Sequence, residues 1–247
     1  MILRSVTKHV KEQNWFAVAL DFSIVVIGVF IGIQVANWND AQEEQRRAND
    51  LILRMIAEAE ETQDKLVDYI AVHKRISNNA GRLTIVLKNK DMCIAMIEDI
   101  KILIVSIADF PPPRFSLSNA EQAVNTGNLS LIQSPKVRAS IQTITNEMRF
   151  MDRQWQRYVR VKQDTNEAAH RASGIAFTGQ STINWDSSDS YDPNHYELLT
   201  PTKICGNTEI VGLTSNLAVL QSIYVGYLGQ VEAALDKYLS ALSPEII

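Results

Sequence analysis

The side chains that could do chemistry are few and scattered. The four histidines are His9, His73, His170 and His195. None stands in an HxxxH or HExxH text or beside a cysteine, so none has the spacing of a metal ligand or a metal-assisted hydrolase. Each reads as a helix-surface or loop residue. Gly226 and Gly229 form the only glycine-rich text. They fall inside an apolar helical pattern with no strand before them, which is the wrong context for a phosphate cradle. No GxSxG nucleophile elbow occurs,. Asp186, Asp189 and Asp192 gather in one loop, but they lack the fixed spacing and the bidentate Glu of a calcium loop. The expectation is a chain without catalytic residues, cofactor or metal, and not an enzyme. Cys93 and Cys205 leave two readings open: one structural disulfide in an oxidising compartment, or two buried thiols.

One spacing does point somewhere. Gly28 and Gly32 form a GxxxG and Ala36 extends it by a turn. Small residues at this interval let two helices approach closely within a membrane. Asp21 lies seven residues before Gly28 and so shares nearly the same face,. A carboxyl in an apolar helix needs a partner, water or a neighbouring chain. Asp21, Gly28, Gly32 and Ala36 are therefore the expected contact face. The competing view is that glycine is common in such helices and Asp21 reaches the headgroups.

The element that carries this face is an apolar run over 16–36, FAVALDFSIVVIGVFIGIQVA, interrupted only by Asp21, Ser23 and Gln34. About twenty residues at ~1.5 Å each cross a hydrocarbon core. Trp15 and Trp38 bracket it as aromatic anchors, and Gln34, Asn37 and Asn39 supply amides where the helix leaves the bilayer,. A cleaved signal peptide is the alternative. The run is long for that, and Gln34 is a poor residue at the −3 position before Ala36. Arg4, Lys8 and Lys11 precede the run, whereas Asp40, Glu43 and Glu44 follow it before Arg46 and Arg47. Positive-inside counting places the N-terminus in the cytoplasm and the rest in the periplasm of a bacterial inner membrane.

Beyond the span, a helix is expected to continue from Trp38 through Ala41, Gln45, Ala48, Ile52, Met55, Ala59, Thr62, Leu66, Tyr69, His73 and Ile76, a heptad seam,. Asn78, Asn79 and Gly81 read as its stop. A second helix covers about 92–108, with a strand over 102–107 as the alternative for its β-branched residues. The triple proline at 111–113 ends it. Ser118 and Glu121 have the spacing of a capping box, Gly127 that of a helix-ending residue, and Ser134-Pro135 that of a helix start. The helix that follows carries Arg149, Arg153, Arg157 and Arg160 opposite its apolar stripe, most simply a solvated face. Residues 174–207 lose the helical pattern and form an irregular loop. A last helix spans about 213–242. Its stretch 210–231 lacks charge, so a second membrane span is weighed against a buried helix, and the buried helix is preferred.

Two texts resemble a family. The start, with Gly28, Gly32, Gln34, Asn37, Trp38 and Asn39, looks like the N-terminus of a group of bacterial proteins with a domain of unknown function. Gly127, Asn128, Leu129, Leu131, Ile132 and Arg138 resemble that group's second recurring text. The resemblance implies architecture and transfers no site residue.

The balance of the composition agrees. With 247 residues, 46% hydrophobic and 21% charged at a net charge of −4, the chain is long enough for a sizeable core,. It is mildly acidic where a nucleic-acid binder would want a basic face. The expected fold is all-α: a cytoplasmic lead (1–14), a single transmembrane signal-anchor helix (15–38) and an extracytoplasmic antiparallel helical bundle (39–247). The expected partners are the lipid bilayer and either further copies of the chain or a larger membrane complex, with the protein as scaffold or accessory subunit. A ligand-sensing periplasmic bundle that signals through a partner is the second reading.

Overall fold

The computed structural model describes residues 15–108, 111–177, 196–198, 200 and 203–243. Among the described residues it is all-helical apart from one antiparallel pair of short strands. Helix α1 runs without a break over Trp15–Lys88. It is followed by α2 (Lys90–Ala95), α3 (Ile97–Ala108), α4 (Ser118–Thr126), a 3₁₀ turn (Asn128–Leu131), α5 (Pro135–Ser173) and α6 (Thr208–Leu242). Between α5 and α6, strands β1 (Ile175–Phe177) and β2 (Tyr196–Leu198) pair antiparallel, Ile175 opposite Leu198. The chain divides into two compact units, one up to Asp50 and one from Leu51 onward.

In the first unit, every residue over 18–47 is exposed. Phe22 is 69% exposed and Phe30 61%. Exposing such a run of large apolar side chains to water is unfavourable. The helix is long and apolar enough to cross a membrane, and so, by length and composition alone, is α6.

The second unit buries one face of every helix. On α1, Ile52, Met55, Ala59, Thr62, Leu66, Tyr69, His73 and Ile76 are all buried, at the three- and four-residue steps of the seam. The seam then passes the expected stop. Ala80, Leu83 and Leu87 are buried as well, and the helix ends at Lys88. A glycine in a helix interior costs about 1 kcal/mol relative to alanine. Burying two leucines in the following turn is worth more than that. Asn79 is a contact and not a terminator, its side-chain amide donating to the Ser106 hydroxyl of α3 at 3.0 Å.

The segment 102–107 is helical, and Met96 interrupts the expected single helix over 92–108, leaving α2 and α3. Asn89 caps α2 by accepting from the Met92 N–H. Ser134 caps α5 in the same way, accepting from the Val137 N–H with Pro135 in the first turn. Gly127 (φ 78°) and Gly174 (φ 61°) end α4 and α5 in the left-handed conformation, which a side chain would strain.

The capping box does not form. Leu117 is the N-cap of α4 and offers no side-chain bond. The cap comes from α1: Glu58 accepts from the Ser118 N–H at 2.7 Å and from the Asn119 N–H at 2.9 Å, and it also takes the Ser118 hydroxyl. A carboxylate outcompetes a local hydroxyl here because it brings a full charge to the positive end of the helix.

Helix α6 starts at Thr208, where Asn207 accepts from the N–H groups of Glu209 and Ile210. Its inner side packs into the core through Ile210, Leu217, Tyr224, Leu228, Val231 and Leu235. A ladder of contacts ties it to α1: Gln63 to Asp236 at 2.6 Å, Ser77 to the Ala218 carbonyl at 3.3 Å, and Thr84 to Thr214 at 3.0 Å. Cys93 of α2 and Cys205, just before α6, are joined as a disulfide, Cα–Cα 5.6 Å. Beside it the Gly206 N–H donates to the Leu87 carbonyl at 2.8 Å.

Candidate functional site

Three helices bring polar groups to one level of the core. Helix α1 supplies Tyr69 and His73, α5 supplies Trp155, Tyr158 and Lys162, and α6 supplies Gln221 and Tyr224. All are buried, with His73, Lys162 and Gln221 at 0% exposure. They arrive there by helical spacing, Tyr69/His73, Tyr158/Lys162 and Gln221/Tyr224 each lying three or four residues apart on one face. The His73 ring is caged edge-on by Tyr69 at 4.3 Å, Tyr224 at 5.0 Å, Tyr158 at 5.9 Å and Trp155 at 6.1 Å. Tyr158 and Tyr224 stack with centroids 5.2 Å apart. Edge-on and stacked geometries both suit the charge distribution of aromatic rings.

The electrostatics of this layer follow from its dryness. The side-chain nitrogen of Gln221 bonds Nδ1 of His73. Burial first, and the nearby Lys162 charge second, push the imidazole down to about 3, against the pull of that hydrogen bond. His73 is therefore neutral at ordinary pH. The hydroxyls of Tyr69 and Tyr224 meet at 3.1 Å. Burial holds both phenols far above their ordinary value. Lys162 places its ammonium 5.8 Å from the Tyr158 ring, a favourable position for a buried cation. Nε2 of His73 and Oε1 of Gln221 have no hydrogen-bond partner among the described residues.

Against the outside of this layer lie two hollows. One, of about 100 Å³, sits between α5 and α6 and has the outer faces of Tyr158 and Tyr224 as its floor and Gln154, Arg157 and Tyr227 at its edge. The other, of about 360 Å³, lies under the proline connector between α4 and α5. Its inner wall includes Phe115, which packs edge-on to Tyr69 at 5.4 Å.

The residues singled out by sequence fall elsewhere. Asp21, Gly28, Gly32 and Ala36 lie on one exposed face of α1, and a Cβ built at either glycine meets nothing within 4 Å. Gln34, Asn37 and Asn39 are exposed on the same helix, with Trp38 68% exposed, and Trp15 begins it. Arg153, Arg157 and Arg160 are exposed and Arg149 is half-buried. Arg4, Lys8, His9, Lys11, Asp186, Asp189, Asp192 and His195 lie outside the described residues. Among the described residues no group of His, Cys, Asp or Glu is placed to hold a metal ion.

His73 is the main correction. Its type and lack of a motif suggested a surface residue, yet it sits at the centre of the core. The signal was present in its spacing, since it fills a gap in the α1 seam. Glu58 and the cleft under the prolines carried no signal in the sequence, because both depend on segments about sixty and thirty residues away. Comparison with protein-family models, with curated proteins and with solved structures finds no match.

Proposed function

We propose that the chain is a membrane-tethered helical module that works by protein–protein contact, as a scaffold or accessory subunit of an inner-membrane assembly or of its own oligomer. The observation that carries this reading is the exposed apolar segment of α1 over 18–35, with Gly28 and Gly32 on one face and, among the described residues, nothing within 4 Å of a Cβ built at either. Among the described residues no contact requires those glycines. A second helix laid against Asp21, Gly28, Gly32 and Ala36 would use them.

In this reading 1–14 is cytoplasmic and the antiparallel bundle after Trp38 is periplasmic. The Cys93–Cys205 bond supports that side, since disulfides persist in oxidising compartments,. The resemblance to a bacterial membrane-tethered family is in keeping with it. Helix α6 stays with the bundle because it contributes Gln221, Thr214 and six large apolar side chains to the core.

The test is purification of the full-length chain in mild detergent with native mass and co-purifying proteins read together, beside a Gly28→Ile/Gly32→Ile variant. A discrete assembly that the variant loses is the expected result. A monomer, or an assembly indifferent to the double substitution, removes the reading. A second reading, a ligand-sensing bundle, is favoured by the cleft under the proline connector, the larger of the two hollows described.

A further inference from the structure

The cleft has a floor of one kind and walls of another. Its floor is apolar: Phe115, Leu117, Met148 and Met151, the last three nearly fully buried. Its walls are charged, with Glu121 from α4 and Arg149, Asp152 and Arg153 from α5. Arg149 is steered across the α4–α5 gap by Asn125, whose side-chain oxygen accepts from its guanidinium at 3.5 Å. Glu121 stands one turn before Asn125 on the same face.

The four charges do not satisfy one another. Ion pairs among the described residues join Glu43 to Arg47, Glu61 to Lys65, Glu98 to Lys101 and Glu167 to Arg171, and none uses a wall residue. Arg153 instead lies over the Phe150 ring at 5.9 Å. Two cations and two anions thus line one hollow with no ion pair to any of them among the described residues.

That pattern selects a ligand by elimination. A simple anion would meet Glu121 and Asp152, and a simple cation would meet Arg149 and Arg153. An apolar molecule would strip water from all four without replacing it. A molecule with one charge of each sign and an apolar body satisfies walls and floor together. A hollow of about 360 Å³ is at the small end for small-molecule sites.

We propose that this cleft binds a zwitterion with an apolar side chain, a free α-amino acid or a dipeptide. Arg149 takes its carboxylate, Asp152 and Glu121 take its ammonium, and Met148, Met151 and Phe115 receive the side chain. The site deepens the ligand-sensing reading. A route inward runs through Phe115, which packs edge-on to Tyr69 at 5.4 Å. Trp155, tilted against Tyr224 at 5.9 Å, is placed to report occupancy.

The experiment is calorimetric titration of the full-length chain in detergent with leucine, methionine, phenylalanine and the Leu-Leu dipeptide. Parallel titrations use 4-methylpentanoate and isoamylamine, each of which lacks one charge, and glycine, which lacks the apolar body. At least one of the first four saturates below about 1 mM. The three incomplete analogues bind at least about ten-fold more weakly, as do Arg149→Gln and Asp152→Asn, since each removes one charge-assisted bond or the apolar burial.

Absence of binding by all four up to about 10 mM overturns the proposal. So does equal binding by the single-charge analogues, or wild-type binding by both variants. If Arg149→Gln does not fold, Asp152→Asn and the analogue series decide. The sensing reading is judged separately: a zwitterion that binds and leaves both native mass and Trp emission unchanged supports the site and overturns sensing.

Discussion

His73 shows how much a single side chain owes to its surroundings. Its folded value lies near 3, below the ordinary ~6.5 of an unfolded histidine. Between those two values the unfolded chain binds the proton and the folded chain does not. Stability from this residue is therefore complete above about pH 6.5 and is lost as pH falls toward 3, by up to about 1.4 kcal/mol per pH unit. Tyr69 and Tyr224, which face the ring, are held above their ordinary values and do not titrate in that window. Denaturant midpoints of wild type and His73→Phe at pH 7 and pH 5 check this. The variant should lose less stability between the two, and parallel curves would remove the assignment. The Gln221 partner gives a second prediction. Gln221→Leu alone leaves Nδ1 of His73 without its bond and costs about 1–3 kcal/mol. The double variant His73→Leu/Gln221→Leu should cost less than the sum of the two single changes, which a double-mutant cycle reads directly.

At the scale of elements, the helix ends are held by different means. Ser134 and Asn207 cap α5 and α6 from within their own segments, and that kind of cap is legible from residue type and position. The cap of α4 comes from Glu58, sixty residues earlier. Glu58→Ala should lower stability by about 1–2 kcal/mol, well beyond an ordinary surface substitution. A melting temperature within a degree of wild type would show that the α4 end is satisfied by water. Glu58→Gln keeps one acceptor and should fall between the two. The same contrast explains Ser118, whose spacing to Glu121 fitted a capping box but whose hydroxyl is drawn to the stronger acceptor on α1.

At the scale of the whole molecule, the Cys93–Cys205 bond closes a loop of 112 residues and ties α2 to the entry of α6. A loop of that length restrains the unfolded chain strongly, and removing such a bond costs about 2–5 kcal/mol. Cys93→Ala/Cys205→Ala should melt below wild type, and reductant should lower the wild-type melting temperature without affecting the variant. Equal melting with and without reductant would mean that the thiols are unpaired in the folded protein.

The local physics of the chain is readable residue by residue. A run of apolar residues with one acid and two glycines has a length and a face whatever surrounds it, and the seam of α1, the glycine helix ends at Gly127 and Gly174 and the Ser-Pro start of α5 follow from period and backbone freedom. What only the tertiary structure decided concerns partners distant along the chain. Gly81 and Asn79 sit inside a helix because the residues that follow bury Leu83 and Leu87, an energy that exists only once the surrounding core has assembled. His73, Lys162 and Gln221 are neither motif nor neighbours in sequence, and three helices bring them to one dry layer. A buried charge or imidazole is defined by what excludes water from it, and that exclusion belongs to the assembled core.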